Sequence, residues 1–192
     1  MNYFSFFLSN ILVNNLVLTQ FLGLCPFMGT SKKFVSAMGL GCATVFVITC
    51  TSIIIYLINS HVLVLLNLEC LRIMTYMLII SVSVQIVEII MRKVSPVLYR
   101  LLGIYLSLIT SNCSVLAIPL LSLHLNFSFF ESFLYGLSSS IGFLLILVIF
   151  SSIRERLSLS DVPILFRGNP IALITASLMS VAFMGFSGLV KT

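Results

Sequence analysis

Cys25 and Cys113 are the residues of this chain whose type and setting point most directly to chemistry. Cys25 lies in FLGLCPFMGTSKK (21–33) beside Gly23, Pro26 and Gly29, and Cys113 closes TSNC (110–113), ahead of Pro119. Both stretches are apolar and carry residues that interrupt helices. At such breaks, backbone amide groups are free to point at a bound anion or at the sulfurs of a cluster. An iron–sulfur cluster takes about four ligands, usually thiolates, so two cysteines provide half and a second chain is the natural source of the rest. A zinc site has the same shortfall. Neither His61 nor His124 makes it up, because both fall near the outer ends of apolar runs. A disulfide between the two thiols needs no metal but leaves the helix breaks without a reason. Packing is the fourth reading, because cysteine inside a membrane is a small, weakly polar side chain. It is the reading for Cys42 and Cys50 near Gly41, and for Cys70 at the outer edge of its run.

The elements that must carry these thiols are transmembrane helices. The chain has 192 residues, 60% hydrophobic and 8% charged, with a mean hydropathy of +1.23. A soluble domain carries about 25% charged residues. Six apolar segments, roughly 3–24, 35–58, 72–91, 98–122, 130–153 and 170–190, are each long enough to cross a bilayer. Helices satisfy their own backbone in lipid, and no alternating segments of ~10 residues suggest a β-barrel. The net charge of +5 is not a nucleic-acid footprint, since the basic residues fall in short clusters between apolar runs. Nothing before Lys32 is charged, so no cleavable leader is expected.

Six crossings put Lys32, Lys33, Arg92, Lys93, Arg100, Arg154, Arg156 and Arg167 on one side and only Arg72 and Lys191 on the other. That asymmetry places the basic side in the cytoplasm. Both termini then lie outside, which in a bacterial inner membrane is the periplasm. In the basic loop 154–170, Pro163 and Gly168 oppose a continuous helix, and Asn169–Pro170 predicts the N-cap and first turn of the last span.

The uncharged run from Met1 to Ser31 has 31 residues. As one straight helix it would measure ~46 Å against a hydrocarbon core of ~30 Å. The run from Leu101 to Phe130 has 30 residues and nearly the same excess. These runs begin the first and fourth spans, so the single transmembrane domain (1–192) reads as two three-span halves, about 1–93 and 96–192. MGLGCA (38–43) and YGLSSS (135–140) echo each other in the second and fifth spans. An odd number of spans per half makes the halves inverted, with the first and fourth helices broken near the midplane, as in many transporters.

Depth sharpens the expectation. Cys113 stands 13 residues past Arg100 and Cys25 only 7 before Lys32. As helix, those distances are ~20 Å and ~10 Å. The two thiols share a depth only if the chain from Pro26 to about Ser31 is largely non-helical, irregular or extended; fully extended it could reach ~23 Å. Other polar residues on a possible ion path are Asn14, Asn15, Gln85, Glu88 and Asn112. Glu88 precedes Arg92 by one helical turn, so an interfacial ion pair is the simpler reading. The asparagines equally suit interhelical hydrogen bonds.

VNNLVLTQFLGLCPFMGTSKK (13–33), SPVLYRLLGIYLSLITSNCSVL (95–116) and DVPILFRGNPIALITASLMSVAFMGFSGLVK (161–191) resemble the A subunits of Rnf-type ion-translocating oxidoreductase complexes. The E subunits of sodium-translocating NADH:quinone reductases are more distant relatives. The resemblance runs over essentially the whole chain. It implies that Cys25 and Cys113 bind an intramembrane 2Fe–2S cluster, shared with two cysteines of a homologous, oppositely oriented subunit. It further implies electron transfer among ferredoxin, flavin and NAD sites on other subunits, coupled to Na+ or H+ movement. The chain itself has no glycine-rich nucleotide fingerprint and no cysteine-rich ferredoxin run, so it is expected to be a relay within a translocase, with no catalytic site of its own. An added electron at that depth attracts a cation in a low-dielectric region, one physical route to coupling. Ser111 and Ser114 stand where threonine and alanine are common in that family, and Pro119 is also a departure. The competing readings are a stand-alone secondary transporter with inverted repeats and no metal, and a purely structural membrane subunit.

Overall fold

The computed structural model describes residues 3–12, 15–31, 34–63, 72–94, 108–125, 127–160, 163, 166 and 168–185, and all regular structure among them is helical. An asparagine, a phenylalanine and a glycine decide how the first apolar run bends. Helix α1 (Tyr3–Leu12) is followed by the short α2 (Leu16–Gln20), whose N-cap is Asn15. The Asn15 Oδ1 accepts the Val17 N–H at 3.1 Å, and its Nδ2 donates to the Ile11 carbonyl at 3.2 Å. The chain then turns through Phe21 (φ 54°) and Gly23 (φ 82°), both left-handed, and enters α3 (Leu24–Thr30). The axis bends by 90° between the stretch Phe6–Gln20 and α3.

This overturns one expectation. The segment from Pro26 onward is not extended; it is helical to Thr30, and the break lies earlier, at Phe21–Gly23. Pro26 is the third residue of α3, where its missing N–H would have had no intrahelical partner. The first turn closes normally around it, with the Phe27 N–H donating to the Gly23 carbonyl at 3.4 Å.

Helix α4 (Phe34–Ile58) runs on into a π-turn, Asn59–Leu63. Helix α5 is Arg72–Val94, α6 is Cys113–His124, α7 is Phe129–Ser158 and α8 is Asn169–Met184. Three continuous helices among the described residues, Phe34–His61, Arg72–Ile90 and Phe129–Ser158, are long and apolar enough to cross a membrane. The bent pair of the first run makes up to four, and Leu108–His124 and Asn169–Met184 are shorter apolar helices. Pro119 does not end α6; it is buried inside it, as membrane helices tolerate when neighbours re-satisfy the freed groups. Helix α7 continues through Arg154 and Arg156, so the basic loop starts only at Leu159. The N-cap of α8 is Gly168 (φ 105°, ψ −121°), one residue before the expected Asn169, which is the first helical residue.

The core is built on α7 and α4, which pack antiparallel. Gly41 lies against Leu144 and Leu147, and Gly136 against Ser52. Small residues let the two backbones approach closely, the usual basis of helix association in lipid. Fully buried Leu40, Ile48, Phe143, Ile146 and Phe150 fill the space around that seam. One end of the bundle gathers Phe6 against Phe127 (centroids 5.7 Å apart), Tyr56 against Phe129 (5.4 Å), and the Tyr76 hydroxyl against Asn59 Oδ1 (3.2 Å). The opposite end gathers the C-termini of α3 and α7, where Arg154 Nη1 donates to the Met28 carbonyl at 2.8 Å.

Candidate functional site

The second helix break has the same start as α2. Asn112 caps α6 with φ −73° and ψ 114°, against −71° and 113° at Asn15, and its Oδ1 accepts the Ser114 N–H at 3.1 Å. This is the cap geometry expected of asparagine, whose side-chain oxygen replaces the missing partner of an early helical N–H. It makes Cys113 the first residue of α6, at the positive end of the helix dipole. Cys25 is the second residue of α3.

The two breaks meet. The Gly23 N–H donates to the Cys113 Sγ at 2.9 Å, across ninety residues of sequence. Chain connectivity keeps the Cys25 Cα within about 8 Å of that nitrogen. A Cβ on Gly23 would collide with Ser114 Oγ and stand 3.0 Å from the Phe143 ring and 3.1 Å from Asn112 Oδ1. A Cβ on Gly142 would lie 2.9 Å from Asn15 Nδ2 and 3.3 Å from the Ile11 carbonyl oxygen. Asn15, Gly23, Asn112 and Ser114 therefore all sit beside Gly142–Phe143, halfway along the thirty-residue α7. The two breaks thus share a level, but not through an extended segment after Pro26. Both ends of the 15–23 stretch pack at one level of α7, and this is how the first run uses up its excess length.

Cys25 and Cys113 are free thiols, both exposed on the surface of this chain. The bridge between them that the sequence left open is not formed. Among the described residues, no group of three or more His, Cys, Asp or Glu is gathered. Cys42 faces outward from α4 and Cys50 is half-buried on the same helix. Cys70 and Asn14 lie outside the described residues. His61 and His124 are exposed at helix ends, as the sequence suggested. Of the polar residues considered for an ion path, Asn15 and Asn112 are buried caps, while Gln85 is exposed and Glu88 half-buried on α5.

Three participants escape a reading of the sequence. Gly23, there only one of several helix breakers, is the residue whose amide reaches sulfur. Asn15, by type a possible ion ligand beside Asn14, is a cap, and N-L-V-L opening an apolar run is the signal that marks it. Arg154, in sequence only a topological charge, finds its partners more than 120 residues away.

The architecture is that of an all-helical membrane protein with two interrupted helices brought together beside a continuous one. Comparison with known proteins agrees. A family profile described as "Rnf-Nqr subunit, membrane protein" matches residues 3–190. The chain is 65% identical over 191 residues to the A subunit of the ion-translocating oxidoreductase complex of Buchnera aphidicola subsp. Baizongia pistaciae (strain Bp), covering 100% of this chain and 98% of the relative. It is 58% identical over 190 residues to the proteins of that name from Shigella flexneri serotype 5b (strain 8401) and Escherichia coli O1:K1 / APEC, covering 99% of this chain and 98% of each relative. The chain belongs to the Rnf-Nqr family of membrane subunits.

Proposed function

We propose that this chain is a membrane subunit of an ion-translocating redox complex and that Cys25 and Cys113 hold half of an intramembrane 2Fe–2S cluster. The other half comes from two cysteines of a homologous, oppositely oriented subunit. The observation that carries this reading is the Gly23 N–H on the Cys113 sulfur, which joins the two cysteine-bearing breaks in mid-bundle. The donor set suits such a group: two free thiols at the chain's surface, open to a neighbouring subunit, one of them already accepting a backbone N–H. When bound, the cluster supplies one-electron storage within the low-dielectric layer. The residues of this chain provide the rest. Cys25 and Cys113 hold the metal, the Gly23 amide offsets charge on sulfur, and Phe143 and the α4–α7 seam keep water from the inner side of the site.

The six-span, inverted-repeat topology is part of the same proposal, and several observations support it. Asn15 and Asn112 are 97 residues apart. Gly39 and Gly136 of the MGLGCA and YGLSSS echo share that offset, as do Arg72 and Asn169, where α5 and α8 begin. Phe6, Tyr56, Tyr76 and Phe127 gather at one end, and Ser31 and Arg154 at the other, as alternating crossings with periplasmic termini require.

The test is metal analysis and electron paramagnetic resonance on the purified complex. Wild-type complex is expected to carry iron and a reducible 2Fe–2S signal at this site, and Cys25→Ser and Cys113→Ser each to lose both together with electron transfer. Retained electron transfer in both variants, or ion transport by the isolated chain in iron-free liposomes, would overturn the proposal.

A further inference from the structure

Helix α3 is too short to hold itself in place. Its seven residues make about two turns, and isolated helices below about 12 residues are marginal. Its position is therefore set by what grips it. At its start, the Gly23 amide touches the Cys113 sulfur. Midway, the buried Phe27 ring stacks on Phe150 of α7, with centroids 4.1 Å apart and planes 26° apart. At its end, Arg154 of α7 takes hold: Nη1 donates to the Met28 carbonyl at 2.8 Å and to Ser31 Oγ at 2.7 Å. Ser151 Oγ adds a bond to the Ser31 carbonyl at 3.2 Å. The last carbonyls of a helix have no partners of their own and form the negative end of its dipole, so a guanidinium there is doubly favoured. Both bonds come from one nitrogen, Nη1, which joins two acceptors on either side of the end of α3 and so restrains rotation as well as separation.

We infer that Arg154 is a positioning residue for the thiol pair: by locking the end of α3 onto α7 it fixes the register in which Gly23 and Cys25 meet Cys113. Released from Arg154 at the Met28 carbonyl and Ser31 Oγ, and held at that end only by the longer Ser151 bond, α3 pivots about the Phe27–Phe150 stack, and its far end draws the Gly23 amide off the sulfur. Hydrogen bonds weaken steeply with distance and angle. Loss of an N–H bond to a ligand sulfur lowers the reduction potential of an iron–sulfur centre, because the bond stabilises the more negative reduced state. The effect of Arg154 thus travels along one short helix to a sulfur it does not touch.

This inference rests on the cluster reading above, and its test separates the two. In the intact complex, Arg154→Met is expected to keep its iron but shift the midpoint potential downward, by up to about tenfold in the reduction equilibrium, or about 59 mV for a one-electron couple. Arg154→Lys, which keeps the charge and several donors, is expected to bring the potential most of the way back to the wild-type value. Ser31→Ala removes one acceptor and no charge. It is expected to move the potential the same way by less, which a purely Coulombic role of Arg154 does not predict. An unchanged potential in Arg154→Met, or a wild-type value in Ser31→Ala, overturns the inference. If Arg154→Met fails to assemble, Ser31→Ala alone decides. If the wild-type complex shows no cluster signal, the functional reading fails instead. The inference is then decided by the maleimide labelling rate of Cys25, which both variants change severalfold if α3 is released and leave at the wild-type value if it is not.

Discussion

Asn15 and Asn112 cap their helices with backbone angles that agree within a few degrees, and each Oδ1 accepts the N–H two residues on at 3.1 Å. Beyond the caps the two chains of residues part. After Asn112, helix α6 runs for twelve residues, through Pro119, and delivers its thiol at once. After Asn15 the chain makes five helical residues, reverses hand at Phe21 and Gly23, and only then starts the short helix that carries Cys25. The difference teaches that two helix breaks with the same cap need not present the same groups. One half presents sulfur directly from a capped helix. The other presents a backbone amide to that sulfur and offers its own thiol two residues later.

The comparison can be broken most forcefully at Gly23. Its left-handed φ and its contacts with Ser114, Phe143 and Asn112 leave no room for a side chain. Gly23→Ala is expected to destabilise the subunit by roughly 2–4 kcal/mol, the sum of the left-handed penalty and overpacking. A large drop in melting temperature in detergent checks this, and wild-type stability would mean that the first break does not depend on glycine. A smaller effect separates the two caps. Asn15 uses both ends of its amide, whereas the buried Asn112 Nδ2 has no hydrogen-bond partner among the described residues. Asn15→Ala is therefore expected to cost about 2 kcal/mol and Asn112→Ala about 1 kcal/mol. Equal losses in unfolding experiments would show that the caps are equivalent in energy as well as in geometry. The smallest effect concerns α8, which reaches the first half through Ser180 Oγ donating to the Leu18 carbonyl at 2.8 Å. Ser180→Ala is expected to remove about 1 kcal/mol, read by the same unfolding measurement.

How much of this was legible depends on the range of each interaction. The all-helical membrane class, the apolar segments and the TSNC break are local signals, carried by composition, run length and an asparagine cap. The extended stretch after Pro26 was misplaced because proline marks the first turn of a helix as readily as its end. Phe21 gave no warning, since an aromatic residue at positive φ is set by its surroundings and not by its own preference. The contacts Gly23–Cys113 and Arg154–Met28 join residues 90 and 126 positions apart, and no local pattern encodes them. The cysteines drew notice because thiols beside helix breakers stand out in an otherwise apolar chain.

Among the contacts that join the first half of the polypeptide to the second, the Gly23–Cys113 bond ends on a sulfur atom. Because a hydrogen bond responds to displacements of a few tenths of an ångström, that sulfur works as a strain gauge. A displacement of Gly23 relative to Cys113 would change the electron-withdrawing power felt at the thiol directly.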